Sequence, residues 1–171
     1  KVSLCPSAGL YLEIESTQKA LGGEARLLLQ ADRLAESFLG DARRMVLVDR
    51  PEWARALLQP AADLFIPPGK SAAHLNALPL SQLAWVGDPF KQEVEQPQKE
   101  KLIGFMRKVG LRTVSDFLAL PVAAVLRRFG KEGEILHDWA GGRRQLCLPP
   151  FAPSEIINEI IDADDLHSLD A

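Results

Sequence analysis

The first part of the chain alternates between strand-like and helix-like patterns of apolar positions. Residues 10–15 (LYLEIE) alternate strictly between apolar and other side chains, which predicts a half-buried strand. After the glycine pair at 22–23, apolar residues from Ala25 to Phe38 recur with a period near 3.6. This pattern predicts a helix, and Gly40 is a suitable residue for its C-terminal end.

Two short apolar runs, 45–48 and 64–66, predict further strands. Asp49 is predicted to cap a helix between them, with Pro51 in the first turn of that helix. The prolines and glycine at 67–69 end the last strand. The order strand, helix, strand, helix, strand predicts a small sheet with helices packed on it.

The pattern after Gly69 predicts short helices that mostly end at glycine or proline. They cover residues 70–76, 79–84, 98–109, 113–119, 121–129 and 131–141. We therefore predict an α+β protein with a sheet-containing lobe at 1–68 and an all-helical lobe at 69–148. Residues 149–171 are predicted to be a linker and the start of a further unit.

Composition places the chain among ordinary globular proteins. Apolar residues make up 47% of its 171 residues and charged residues 25%. No apolar run is long enough to cross a bilayer, so we expect a soluble cytosolic protein. Cys5 and Cys147 lie far apart without a CxxC partner, which argues against a disulfide framework or a structural metal site.

Charge is unevenly distributed along the chain. The net charge is −3, but residues 154–171 carry six acidic residues and no Lys or Arg. Residues 101–145 carry nine basic residues against four acidic ones, a net charge of +5. A basic lobe followed by an acidic tail is compatible with phosphate contact, although a solvated helical face would have the same composition.

Few residues suggest catalytic chemistry. Glu13 and Glu15 share one face of the predicted strand, so both could reach one metal ion, or they could form a polar face open to solvent. The segment 141–144 (GGRR) could present amides and guanidiniums to a phosphate, or it could be a helix C-cap followed by exposed arginines.

The most informative local pattern is the turn KVGLRT at 108–113. A helix ends at Lys108, Gly110 supplies a left-handed turn residue, and Thr113 caps the next helix. Free amides at the start of that next helix would suit phosphate oxygens, and Arg112 adds a positive charge.

Two stretches together resemble the Y family of DNA polymerases, and in particular its ImuB-type mutagenesis homologues. In residues 6–23 (PSAGLYLEIESTQKALGG), placing the glycine pair on the family's Phe-Gly-Gly puts the Tyr-Leu-Glu at 11–13 on its Tyr-Leu-Asp strand. Residues 78–142 contain LPLSQL, GLRTVSDFLALP and RRFGKEGEILHDWAGG in the order of the family's thumb. The FIPPG segment at 65–69 also fits the ImuB-type pattern.

This resemblance implies a partial palm-like sheet followed by a helical thumb with helix-hairpin-helix character, and a little finger that begins within 149–171. It places the catalytic Asp and Glu of the family on Ala8 and Gly9, which offer no side-chain oxygen to Mg²⁺. The N-terminal segment with the first catalytic Asp is also absent from this sequence. We therefore expect no polymerase activity, no bound metal and no cofactor.

The resemblance also implies contact with a DNA primer-template that is independent of base sequence and sensitive to salt. The family's first thumb hairpin corresponds to Trp85-Val86-Gly87, and we expect it to be remodelled because tryptophan does not readily take a positive φ. The residues expected to contact DNA are Lys108, Gly110, Arg112, Thr113, Arg127, Arg128, Arg143 and Arg144.

By resemblance, the leading hypothesis is a non-catalytic adaptor in damage-induced (SOS) mutagenesis and translesion synthesis, in the bacterial cytoplasm at the nucleoid. Its partners would be the sliding clamp and a separate error-prone polymerase, both bound through regions outside this chain. One alternative is an active Mg²⁺-dependent translesion polymerase, in which a four-residue shift places Glu13 at a metal-binding position. A third is a helix-hairpin-helix DNA-binding module without a polymerase connection, which leaves the pattern of 10–66 unexplained.

Overall fold

A computed structural model describes residues 2–5, 9–17, 19–40, 44–58, 64–91 and 94–151. The strands are β1 (Val2–Cys5), β2 (Gly9–Leu12), β3 (Val46–Leu47) and β4 (Leu64–Phe65). The helices are α1 (Glu24–Leu39), α2 (Ala54–Leu58), α3 (Ser71–Ala77), α4 (Gln96–Lys108), α5 (Val114–Leu118) and α6 (Val122–Ala140). Two 3₁₀ helices, Pro51–Trp53 and Leu80–Trp85, precede α2 and follow α3. The predicted α+β class is confirmed.

The first sheet is an antiparallel pair, with Val2 of β1 opposite Leu12 of β2. Ser3 and Tyr11 also face each other; Ser3 is fully buried, and burial raises the pKa of Tyr11 to about 12. The strand predicted at 10–15 ends earlier, at Leu12. The face of β2 that carries Tyr11 is turned inward, and the face that carries Leu10 and Leu12 is exposed. The opposite face of the sheet exposes four apolar side chains, Val2, Leu4, Leu10 and Leu12.

Helix α1 confirms the periodicity of residues 25–38 and begins at Glu24, directly after Gly23. It ends as predicted at Gly40, whose φ of 57° is accessible to glycine at little cost. No side chain of α1 is fully buried, and Phe38 is 80% exposed. The helix therefore contributes little to the core of the described residues.

The predicted strands at 45–48 and 64–66 form a second, separate sheet, in which β3 pairs in parallel with β4. The prediction that Asp49 caps the following helix is wrong. Its carboxylate instead accepts hydrogen bonds from the amide of Gly69 at 2.9 Å and from that of Ser71 at 3.3 Å. Asp49 therefore connects the ends of the two parallel strands, because the loop after β4 brings these amides to it.

One hydrophobic core joins residues on both sides of the boundary predicted near 67–69. Trp53, Leu57 and Ile66 belong to the same buried cluster as Leu136 and Trp139 of α6. The indole Nε1 of Trp53 donates a buried hydrogen bond of 3.0 Å to the carbonyl oxygen of Trp139. The division into lobes at 68 and 69 stays a prediction.

The helices after Gly69 follow the predicted order, and the last two meet at Gly130. The backbone of this glycine is non-helical, with φ of 71° and ψ of −167°, so the predicted break between 121–129 and 131–141 is confirmed; the label α6 covers both segments. Glycine takes a positive φ of this kind at little cost. No helix among the described residues is long and apolar enough to cross a membrane.

Candidate nucleic-acid interface

The turn between α4 and α5 (residues 108–113, called the hairpin below) contains the helix end, the glycine and the helix cap that the sequence predicts. Helix α4 ends at Lys108, and Gly110 adopts a φ of 97°. The amide of Gly110 donates to the carbonyl of Arg107 at 3.0 Å, and that of Leu111 to the carbonyl of Met106 at 3.1 Å. These bonds satisfy carbonyls at the end of α4 and turn the chain sharply toward α5.

Thr113 caps α5 as the sequence predicts, but the amides at the start of the helix are occupied. Its side chain accepts a hydrogen bond from the amide of Asp116 at 3.1 Å, in a capping box. In return, the Asp116 carboxylate accepts from the amides of Thr113 at 2.8 Å and Arg112 at 2.9 Å. The hydrogen bond from the Thr113 amide, and after it the one from the Arg112 amide, lowers the pKa of Asp116 below its ordinary value. The amides of Arg112, Thr113, Val114 and Asp116 therefore already have acceptors within the chain.

The hairpin is fixed to the segment that precedes the second 3₁₀ helix. The amide of Leu80 donates to the carbonyl of Arg112 at 2.8 Å, and the amide of Val114 donates to the carbonyl of Leu78 at 3.0 Å. Pro79 and Thr113 form an antiparallel bridge between these bonds. The side chain of Arg112 is exposed on this rigid support.

The predicted basic residues fall into two groups. Lys108 and Arg112 lie at the hairpin, while Arg127 and Arg128 lie in the first half of α6, and all four are exposed. The rings of Phe105 and Phe129 pack edge to face with centroids 5.8 Å apart, which brings the end of α4 next to this part of α6. Arg143 and Arg144 follow the other end of α6, on the far side of the kink at Gly130.

The segment 141–144 forms a helix C-cap, one of the two readings that the sequence allowed. Its four amides donate to carbonyls of the last turn of α6, those of Arg143 and Arg144 to Asp138 at 2.9 and 3.3 Å. The Arg143 side chain bonds to Asp138 Oδ1 at 2.7 Å and to His137 Nδ1. The pKa of His137 is lowered mainly by burial of the ring and further by the positive charge of Arg143. Arg144 lies over the Trp139 ring, 5.5 Å from its centroid.

The segment 85–87 is turned into the protein rather than toward solvent. Gly87 is buried, and its amide donates to the carbonyl of Glu52 at 3.1 Å. The ammonium of Lys99 donates to the carbonyl of Val86 at 2.9 Å, and the Arg55 guanidinium stacks on Trp85 at 4.8 Å. Trp85 does not take a positive φ, since no non-glycine residue in the described ranges does. The remodelling of the family's hairpin at 85–87 stays a prediction.

The positions that the resemblance assigns to catalytic acids are only partly described. Ala8 lies outside the described residues, and Gly9 begins β2 with a φ of 105°. Glu13 and Glu15 are exposed and follow the end of β2, so they do not share a strand face as the sequence predicted. In the described parts of the chain, no group of three or more His, Cys, Asp and Glu side chains could hold a metal ion.

The structure also forms a cleft that the sequence did not indicate. Trp85, Gly87 and Trp139 line it together with three cationic residues, Arg55, Lys91 and Lys99. These cations come from α2, the loop after Gly87 and α4, so their proximity depends on tertiary packing. Only the unusual Trp-Val-Gly at 85–87 marks this region in the sequence.

Comparison with known proteins gives relatives with consistent names. Protein ImuB of Caulobacter vibrioides (strain NA1000 / CB15N) is 35% identical over 142 residues, which cover 82% of this chain and 28% of that relative. DNA polymerase IV of Desulfatibacillum aliphaticivorans is 24% identical over 164 residues, 94% of this chain and 38% of the relative. DNA polymerase IV of Serratia proteamaculans (strain 568) is 29% identical over 118 residues, which cover 67% of this chain and 29% of that relative.

These matches extend across both parts of the chain, but the chain spans only about a third of the length of the curated relatives. No family model matches the sequence. No solved structure matches it either.

Proposed function

Since this chain is a Y-family polymerase homologue of the ImuB type, we propose that it is a non-catalytic, DNA-binding part of an adaptor for damage-induced translesion synthesis. The relatives named ImuB and DNA polymerase IV indicate a role linked to DNA damage and translesion synthesis. The proposal adds that this homologue binds DNA without extending it.

One observation supports the non-catalytic part of the proposal above all others. The sequence has Ala8 and Gly9 where the family resemblance expects an Asp and a Glu. Two-metal polymerase chemistry needs carboxylate oxygens to hold Mg²⁺ ions next to the attacking and leaving oxygens. Neither an alanine nor a glycine side chain supplies such an oxygen.

The DNA contact is proposed to depend on side chains rather than on backbone amides. The amides of Arg112 and Thr113 donate to Asp116, and that of Gly87 donates to Glu52. The exposed cations Lys108, Arg112, Arg127 and Arg128 then supply the contact with phosphates. Arg143 and Arg144 form a second contact at the other end of α6. Binding by such cations is independent of base sequence and weakens steeply with salt.

The partners in this proposal are a primer-template, a sliding clamp and a separate error-prone polymerase. By the family resemblance, the clamp and the polymerase are assigned to regions outside this chain. The chain itself contributes the DNA contact and the framework that holds it.

Primer extension tests the proposal directly, with the full-length parent protein, Mg²⁺ and all four nucleotides. Binding to the same primer-template is followed by fluorescence anisotropy. We expect binding without extension. Extension above background would show that the assignment of Ala8 and Gly9 is wrong, and absence of binding at low salt would refute the DNA contact.

The second candidate is an active translesion polymerase, which the relatives named DNA polymerase IV favour. In that case Glu13 or Glu15, both exposed after β2, would bind a metal ion. Calorimetric titration with Mg²⁺ and a nucleotide distinguishes the candidates. Metal binding that is lost in Glu13→Gln would support the polymerase.

A further inference from the structure

The cleft beside the second 3₁₀ helix brings together cations from three parts of the chain and two indole rings. Arg55 comes from α2, Lys91 from the loop that precedes α4, and Lys99 from α4, while Trp85 and Trp139 form part of the walls. The enclosed part of the cleft measures about 40 Å³, which is room for about three water molecules. This space suits a single small anionic group and excludes a nucleoside.

Arg55 is the cation in the cleft that the protein itself leaves without an acceptor. Its guanidinium lies 4.8 Å from the centroid of the Trp85 ring, so one face of the guanidinium is stacked. Within the described residues, the half-buried Arg55 side chain makes no hydrogen bond and no ion pair. A stacked guanidinium keeps its N–H donors along the edge, in a fork that matches the oxygens of a phosphate.

Gly87 leaves space in the cleft next to Lys99. A Cβ at Gly87 would lie 3.7 Å from Lys99 Nζ and 3.7 Å from Cδ1 of Trp139, so a side chain here would fill the gap between them. The Lys99 ammonium is held at the cleft by the carbonyl of Val86 at 2.9 Å. The amide of Gly87 donates to the carbonyl of Glu52. Side chains, and not this amide, therefore supply the positive charge of the cleft.

The described lining of the cleft has a positive balance of charge. It contains three cationic residues and one acidic residue, Asp88. The Asp88 Oδ1 accepts hydrogen bonds from the amides of Phe90 at 2.8 Å and Lys91 at 3.1 Å, within its own loop. A concave site with an excess of positive charge concentrates anions.

We propose that this cleft binds one phosphate group, with Arg55 as its main ligand and with Lys91 and Lys99 beside it. The guanidinium fork donates to the phosphate oxygens, while Trp85 holds the plane of the guanidinium in place. Either a free phosphate or a phosphate of a DNA strand has this chemistry. The second source rests on the proposed function, and Arg144 of the second basic group lies over the Trp139 ring that borders the cleft.

Titration of the 171-residue chain with inorganic phosphate tests the site without DNA. Proton–nitrogen correlation spectra resolve the indole signals of the three tryptophans, of which Trp85 and Trp139 line the cleft and Trp53 does not. We expect phosphate to move the signals of Trp85 and Trp139 to saturation and to leave that of Trp53 nearly unchanged. No movement, or equal movement with sodium chloride at the same ionic strength, would overturn the proposal.

Three matched charge changes identify the ligands. Arg55→Gln should raise the dissociation constant for phosphate about ten-fold, because it removes charge-assisted hydrogen bonds. Lys91→Gln, at an exposed position, should raise it about two-fold. Arg33→Gln removes the same charge from an exposed position on α1 and should leave it unchanged. Equal losses in Arg55→Gln and Arg33→Gln would refute the site. If Arg55→Gln does not fold by circular dichroism, an unchanged constant in Lys91→Gln refutes it instead.

A primer-template in place of inorganic phosphate distinguishes the two sources. Movement of the same two indole signals, with weaker DNA binding in Arg55→Gln, assigns the phosphate to a DNA strand. Binding of inorganic phosphate without any effect of DNA on these signals assigns the cleft to a free phosphate. If inorganic phosphate and DNA both leave the signals unchanged, the cleft proposal fails, while Arg112→Glu still tests the DNA contact at the hairpin.

Discussion

At the scale of single residues, Asp116 determines what the hairpin offers to a ligand. Its carboxylate accepts two backbone amides that a phosphate would otherwise receive, those of Arg112 and Thr113. A negative charge at this position also stabilises the start of α5 through the amide dipoles. The amides of Arg112 and Thr113 are therefore bonded within the hairpin, and the exposed Arg112 side chain extends from it.

We predict that Asp116→Asn lowers the melting temperature near neutral pH. The folded pKa of Asp116 lies below the unfolded value of about 3.9. Its charge therefore adds stability above that value, and the addition is lost as pH falls through the folded pKa. Thermal unfolding followed by circular dichroism from pH 7 to pH 2 should show the two proteins converging at the acid end. Glu100→Gln on α4 is the control, and an equal loss there would contradict the role of the amide bonds.

Arg112 should act on DNA binding and not on the fold. Its side chain is exposed, while its backbone carbonyl accepts the hydrogen bond from Leu80 that holds the hairpin. We expect Arg112→Glu to weaken binding to a primer-template roughly ten-fold at low salt, with a shallower salt dependence. Arg33→Glu on α1 makes the same charge change away from the hairpin and should have a smaller effect. Unchanged affinity in Arg112→Glu would remove the hairpin from the proposed contact.

At the scale of elements, glycines determine the shape and packing of α6. Gly130 allows the kink, and Gly133 lets the helix approach its own preceding turn. A Cβ at Gly133 would lie 2.4 Å from the Cβ of the buried Phe129, which is closer than side chains tolerate. Phe129 in turn contacts Phe105 and Phe117, so a shift of this turn would affect α4 and α5 as well.

Two glycine-to-alanine changes in helices should therefore have opposite effects. Gly133→Ala is expected to lower the free energy of unfolding by about 1–3 kcal/mol through overpacking. Gly104→Ala in α4, where a Cβ meets nothing within 4 Å, should raise it by about 0.5–1 kcal/mol, because alanine restricts the unfolded chain. Urea unfolding measures both, and a stabilising effect of Gly133→Ala would contradict the packing of this turn.

At the scale of the whole molecule, one buried cluster connects residues on both sides of Gly69. Trp53 is 5% exposed and bonds to the carbonyl of Trp139, and Arg50 lies 5.3 Å from the Trp53 ring centroid. By contrast, α1 has no fully buried side chain. The position of the helical part relative to 50–58 is therefore set by this core.

We predict that Trp53→Ala lowers the free energy of unfolding by about 3–5 kcal/mol. Phe38→Ala should change it by less than about 0.5 kcal/mol, since this ring is 80% exposed. Urea unfolding followed by circular dichroism at a helix wavelength tests both. A small effect of Trp53→Ala would mean that the two parts of the chain are independently stable.

Much of the local structure follows from the sequence. The period of α1, its end at Gly40 and the cap at Thr113 depend on neighbouring residues, so they can be read from a short window. The division of α6 at Gly130 also follows from the sequence, because glycine is the residue that most readily takes a positive φ. Strand β1 was not predicted: it has only four residues, and its apolar side chains Val2 and Leu4 are exposed while Ser3 and Cys5 are buried.

The sequence by itself determined the α+β class, the helix boundaries to within a few residues and the family resemblance, because each rests on short-range order along the chain. Tertiary structure decided which donors and acceptors are used. Asp49 bonds to the loop after β4 instead of capping its own helix, and Gly87 bonds to Glu52. Such pairings join residues far apart in sequence, and the free energy of each depends on the whole packed arrangement. For the same reason the amides of Arg112 and Thr113 are bonded to Asp116, while the Arg112 side chain is exposed.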